Sequence, residues 1–219
     1  MYSVGVLVSI LAWLTYVGPG NSQSPQVPPP VKSANELYGF DEVKARSFMV
    51  KNIKTSFQSY YTYLAISYCF ARHNISLPGF EKLFRSYTEM ERQNAEKIML
   101  YMIQRGMTFE FHSINPSKKL SSQCYERADT GATEWSYVMS VIDFALGDQK
   151  HRLNLLKKTH YAAVTNDFPH LKHFLEDECM DQKYLKIKEI ADIHARLKRI
   201  KDSTSPNLGL YLFDRSLLS

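Results

Sequence analysis

The 219 residues contain no strand-like alternation of apolar and polar side chains and no internal repeat. A half-buried sheet and a repeat solenoid are thereby excluded. Beyond Val17 no stretch is long and apolar enough to span a bilayer. Cysteine is scarce, with only Cys69, Cys124 and Cys179. In an oxidising compartment that odd number leaves at least one thiol free or paired with another chain. Cys69 and Cys179 fall within helical patterns and read as buried small hydrophobes, whereas Cys124 lies in a polar connection and is the disulfide candidate. Any nucleic-acid signature is also missing. Lysine and arginine outnumber aspartate and glutamate 27 to 22, for a net charge of +5, yet no base-stacking or groove-reading motif accompanies the excess. Lys186, Lys188, Arg196, Lys198, Arg199 and Lys201 gather toward the end of the last long helix, where cations complement the helix dipole.

What is present begins with an uncharged apolar run, Val4 to Val17, followed by Gly18-Pro19-Gly20-Asn21-Ser22. It is too short for a membrane span and ends in small residues, which predicts a secretory signal peptide over residues 1–22. Residues 23–40, with Pro25, Pro28, Pro29 and Pro30, cannot form a helix and read as an extended arm. One domain over 41–219 remains, long enough to bury a substantial core. Asn74-Ile75-Ser76 is an N-glycosylation sequon, in keeping with secretion to the lumen or beyond.

The domain reads as four long helices and one short one. From Asp41 to Phe70 apolar residues recur with helical period, and Pro78 opens a second helix running to about Arg105. So tight a connection predicts antiparallel neighbours. A long connection from Gly106 to about Gly131 follows, as expected if the second and third helices run parallel and a crossover spans the domain. The third helix covers roughly 133–165 and the fourth roughly 170–201, turning at Pro169. Leu208 to Leu218 is a short apolar helix that needs a surface to pack on.

Candidate chemistry centres on Glu91-Arg92-Gln93-Asn94-Ala95-Glu96 in the second helix. Glu91 and Asn94 lie i, i+3 on one face, the spacing at which carboxylate bundles place Glu-x-x-His metal ligands. The glutamate is there and the histidine is not.

The order of helices, together with Tyr61-Thr62-Tyr63-Leu64, Glu91-Arg92, Ala95-Glu96-Lys97, Gln104-Arg105-Gly106, Trp135, Phe168-Pro169-His170-Leu171, Ile187-Lys188-Glu189 and Tyr211-Leu212-Phe213-Asp214, resembles ferritin from about residue 40 to the end. The leader, the sequon and the long crossover look most like the secreted ferritins of insects and other arthropods. The resemblance implies an all-α, ferritin-like four-helix bundle with a long crossover and a short fifth helix. It further implies an iron-storing shell of twenty-four subunits, with iron as cargo and no organic cofactor.

At the positions of the family's di-iron ferroxidase centre, the chain carries Ser56, Tyr63, Glu91, Asn94, Gln149 and Lys183. Only the tyrosine and Glu91 are retained. Neutral ligands and a lysine cation suit ferrous ions poorly, so the resemblance implies a light-type, non-enzymatic subunit that depends on a heavy-type partner and on copies of itself. A Glu91–Lys183 salt bridge is expected to replace metal. Glu89 and Glu96 correspond to a cavity-facing stripe that could seed mineral, or else form a solvated face. His173 and Glu176, with His160 nearby, fall at the family's three-fold channel or at an ordinary subunit contact. The competing expectations are a ferroxidase with a rearranged site and a shell-less secreted helical carrier. Neither nucleic acid nor membrane is an expected partner.

Overall fold

A computed structural model describes residues 43–111, 113–115 and 134–219. The expected leader and arm, Asp41 and Cys124 lie outside these residues. Every regular element among the described residues is helical: α1 (Val43–Phe70), α2 (Pro78–Gln104), α3 (Glu134–Thr165), α4 (Pro169–Phe174), a π-helical turn (Leu175–Met180), α5 (Asp181–Lys201) and α6 (Pro206–Ser216). Helix α4, the π turn and α5 follow one another without a break and form the fourth long helix.

Prolines set three of the starts. Pro78, Pro169 and Pro206 each stand in the first turn of their helix, where a missing N–H costs nothing and the fixed φ is already helical. The C-terminal helix therefore begins at Pro206, two residues before the apolar pattern predicted. Two ends are closed alike. After α2, Gly106 at φ 69° lets Met107 N–H donate to Met102 O (2.9 Å) and Gly106 N–H to Ile103 O (2.9 Å). After α3, Asp167 at φ 54° plays the same part, with Phe168 N–H donating to Ala163 O (2.9 Å). Both are Schellman closures, which satisfy carbonyls the helix leaves over.

Contacts at the ends fix helix direction. Arg46 Nε donates to Thr108 O beyond the end of α2 (2.9 Å), while Phe70 stacks on Phe80 with ring centroids 5.3 Å apart. Helices α1 and α2 are therefore antiparallel. Phe70 also meets Tyr137 near the start of α3 (5.4 Å), and Asn52 Nδ2 donates to Thr159 Oγ1 near its end (2.8 Å). Helix α3 thus runs against α1 and parallel to α2, so the end of α2 and the start of α3 lie at opposite ends of the bundle, as expected from the long polar connection.

Helix α6 is fastened to the start of α2. Asp214, almost fully buried, accepts the Phe80 N–H on Oδ1 (2.9 Å), and the Phe213 and Phe80 rings lie 5.9 Å apart. A capping carboxylate at a helix N-terminus satisfies an orphan donor and complements the dipole. Here it arrives from a distant helix. Gly79 makes the approach possible, because a Cβ there would sit 1.9 Å from the Asp214 carbonyl oxygen.

The bundle interior is layered. One apolar cluster joins Tyr63 to Phe70 of α1, Phe80 to Tyr87 of α2, Trp135 to Ala145 of α3 and Ile190 to Leu197 of α5. A second joins Met49 and Ile53, Ile98 to Met102, Leu156 and Ala163, and Leu171 to Cys179. Between the two, on all four long helices, the buried positions turn polar: Ser56 and Ser59, Glu91 and Asn94, Gln149 and Arg152, and Lys183.

Candidate functional site in the bundle core

All six residues singled out at the ferroxidase positions meet in this polar layer. Glu91 is 0% exposed and Lys183 2%. The Lys183 Nζ lies 2.7 Å from Glu91 Oε1 and donates to Gln149 Oε1 at 2.8 Å. Gln149 Nε2 in turn donates to Glu91 Oε1 (2.7 Å) and to the Tyr63 hydroxyl (3.1 Å). Asn94 Nδ2 reaches Glu91 Oε2 at 3.4 Å. The expected Glu91–Lys183 pair is thus present as a direct contact.

Three further residues complete the layer, and sequence reasoning overlooked them. Arg152, also buried, places Nη2 2.7 Å from Glu91 Oε2 and 2.6 Å from Ser56 Oγ, while Nη1 donates to Ser59 Oγ (3.3 Å). Asp148 accepts hydrogen bonds on Oδ2 from Ser59 (2.8 Å) and from the Tyr63 hydroxyl (2.7 Å). A signal for Arg152 existed. Ala145, Gln149, Arg152 and Leu156 recur at core-facing spacing along α3, so an arginine there is an arginine pointed inward.

Two cations and two carboxylates share the layer, and their charges perturb one another. Burial alone would raise the Glu91 carboxyl, but Arg152 and Lys183 together outweigh it and hold Glu91 below its ordinary value. Burial and the neighbouring Arg152 pull Lys183 down to about 8, against the attraction of Glu91. The ammonium therefore persists at neutral pH. Burial, then Asp148 and Glu91, push the Tyr63 hydroxyl well above its ordinary value, which keeps it a neutral donor.

The peripheral candidates are arranged differently. Glu89 and Glu96 share a stripe on α2 as expected, with Arg92 between them. Arg92 Nε donates to Glu89 Oε2 (2.9 Å), its Nη1 engages Glu96, and Gln93 Nε2 donates to Glu89 Oε1 (2.9 Å). Hydrogen bonds from Arg92 and Gln93 lower Glu89 to about 2. The stripe is therefore not a bare pair of carboxylates: Arg92, named above only as part of the second-helix segment, joins the two. His160 Nε2 lies 2.7 Å from Glu176 Oε1, and His173 Nδ1 3.8 Å from Glu176 Oε2, so these three do come together beside the π turn. The hydrogen bond with His160 lowers Glu176. Asn74 stands exposed in the turn between α1 and α2. Cys179 is a buried free thiol, pushed up to about 12 chiefly by burial. Among the described residues, no group of three or more His, Cys, Asp and Glu side chains converges as a metal site.

A four-helix bundle with a long crossover, a short fifth helix and a polar layer across its core defines the ferritin-like class of helical proteins. The family model described as the Ferritin-like domain matches residues 49–200. The chain is 30% identical over 169 residues to the soma ferritin of Lymnaea stagnalis, covering 77% of this chain and 87% of the relative. It is 31% identical over 169 residues to a ferritin of Pacifastacus leniusculus, covering 76% and 83%. Against a ferritin-2 heavy chain of Schistosoma mansoni it is 30% identical over 169 residues, covering 77% and 88%. The chain belongs to the ferritin family, whose members store iron in multi-subunit shells.

Proposed function

We propose that this chain is a light-type ferritin subunit, structural rather than catalytic, working in a shell with a ferroxidase-competent heavy-type partner. The observation that carries this reading is the position of Lys183, whose ammonium lies between Glu91 and Gln149 in the layer where the family's catalytic members bind iron. A pair of ferrous ions needs several anionic oxygens and is well served by imidazole. Ser56, Asn94 and Gln149 offer none of these, and the oxygens of Glu91 are already engaged by side-chain cations. The residues do not fit the metal pair.

Secretion is part of the proposal. It rests on the uncharged apolar leader, the small residues after it and the exposed sequon at Asn74. The acidic stripe paired through Arg92 supports at most a weak role in seeding mineral. Purification of the native assembly tests the whole reading. A second ferritin chain carrying the missing ligands should co-purify, the amino terminus should lie near residue 23, and endoglycosidase should sharpen the band. A shell made of this chain alone that oxidises Fe(II), with the rate abolished by Glu91→Ala, would refute it in favour of a rearranged ferroxidase.

A further inference from the structure

Lys183 engages only one side of the Glu91 carboxylate. The other oxygen takes Arg152 and, at 3.4 Å, the Asn94 amide, and around that guanidinium the acceptors are all oxygen: Glu91 Oε2 at 2.7 Å, Ser56 Oγ at 2.6 Å and Ser59 Oγ at 3.3 Å. The Asp148 carboxylate stands one hydrogen bond further out, through Ser59 (2.8 Å). The Arg152 Nε–H finds no acceptor among the described residues, so this side chain is not held in place by a full set of hydrogen bonds. It is held by the Glu91 charge and by the two hydroxyls. A carboxylate, two hydroxyls and a second carboxylate within reach form the kind of hard-oxygen set that suits a divalent cation such as Mg2+ or Mn2+.

We propose that Arg152 is a built-in surrogate for a metal ion: its guanidinium fills an oxygen-lined cation position and closes the bundle core to divalent cations independently of Lys183. A dication entering that position would lie within a few ångströms of a fixed positive charge at low dielectric, where repulsion is weakly screened. With the guanidinium removed, Glu91 Oε2 is left buried beside two hydroxyls, and a cation is what neutralises it best. This inference rests on the reading of the layer as a closed metal site, and its test is separable from the test of that reading.

The experiment uses the full chain and Mn2+ as the probe. Free Mn2+ is counted by its electron paramagnetic resonance signal, and the thermal midpoint is followed in Mn2+ and in Na+ of matched ionic strength. Arg152→Ala should take up one additional equivalent of Mn2+ per chain over the wild type and gain thermal stability in Mn2+ alone. Both gains should vanish in Arg152→Ala/Glu91→Gln. Lys183→Gln should take up no more Mn2+ than the wild type, because Arg152 still holds Glu91. Should Arg152→Ala fail to fold in metal-free buffer, recovery on refolding in Mn2+ supports the proposal, and equal failure in Mn2+ and Na+ overturns it. A folded Arg152→Ala with no additional Mn2+ also overturns it, as does uptake by Lys183→Gln alone. Those outcomes leave the light-type reading standing, whereas iron oxidation by this chain's own shell would defeat that reading whatever the Mn2+ result.

Discussion

Replacing Lys183 by methionine isolates what the buried ion pair contributes. Methionine is unbranched, apolar and of similar length, so the cavity and packing changes are small. What changes is charge. Glu91 Oε1 loses the ammonium 2.7 Å away and keeps only the Gln149 amide, while Oε2 keeps Arg152. Breaking a buried pair by removing one partner costs about 3–5 kcal/mol. With Arg152 still in place the low end applies, about 3 kcal/mol, or about 6–12 °C in melting temperature for a chain of this size. Glu91→Gln should be worse, toward about 5 kcal/mol, because it leaves two buried cations facing a neutral amide. The double variant should recover about 2 kcal/mol of the summed losses, since the ammonium has nothing to pair with once Glu91 is neutral. Chemical denaturation at one fixed protein concentration reads all four corners of this cycle, which matters because shell assembly contributes to apparent stability. A loss below about 1 kcal/mol for Lys183→Met, or strict additivity in the double variant, would refute the assignment of Glu91 as an anchor held by Lys183.

The folded-state value of Glu91 lies below its ordinary 4.5, so its contribution is complete above about pH 4.5 and is lost as pH falls through the folded value. Acid titration of stability should accordingly show a steeper loss below pH 4.5 in the wild type than in Glu91→Gln; parallel curves would contradict this. Lys183, drawn down to about 8, should appear in the NMR spectrum of isotope-labelled lysines as a resonance titrating near that value, and its absence in Lys183→Met makes the assignment. Gly79→Ala drives a Cβ to within 1.9 Å of the Asp214 carbonyl oxygen and should cost about 1–3 kcal/mol, the reverse of the usual gain from Gly→Ala in a helix. Asp214→Ala removes only the acceptor for the Phe80 N–H and should cost about 1–2 kcal/mol. A neutral or stabilising Gly79→Ala in urea denaturation would mean that α6 is not seated as described.

The helices were legible because their signals are local. Proline at a first turn and a 3.6-residue apolar period act within one element, and the tight turn and the long polar link carried the directions of α1, α2 and α3. The π turn left no such mark: Leu175 to Met180 reads as ordinary helix. The site was legible to the extent that one helix face could be read at a time. Glu91 and Lys183 stood out against the positions of known ligands, whereas Arg152 was passed over, and Arg92 was given no part in the acidic stripe, because a search for ligands looks for anions and imidazoles. Asp148 needed the fold, since its partners Ser59 and Tyr63 lie on another helix. Core-facing periodicity picks out Glu91, Arg152 and Lys183 as inward charges, and their sum is +1. A buried layer with one uncompensated cation is costly, so charge balance calls for one more carboxylate nearby, and the fold identifies which. On α3 the residue before Gln149 supplies it.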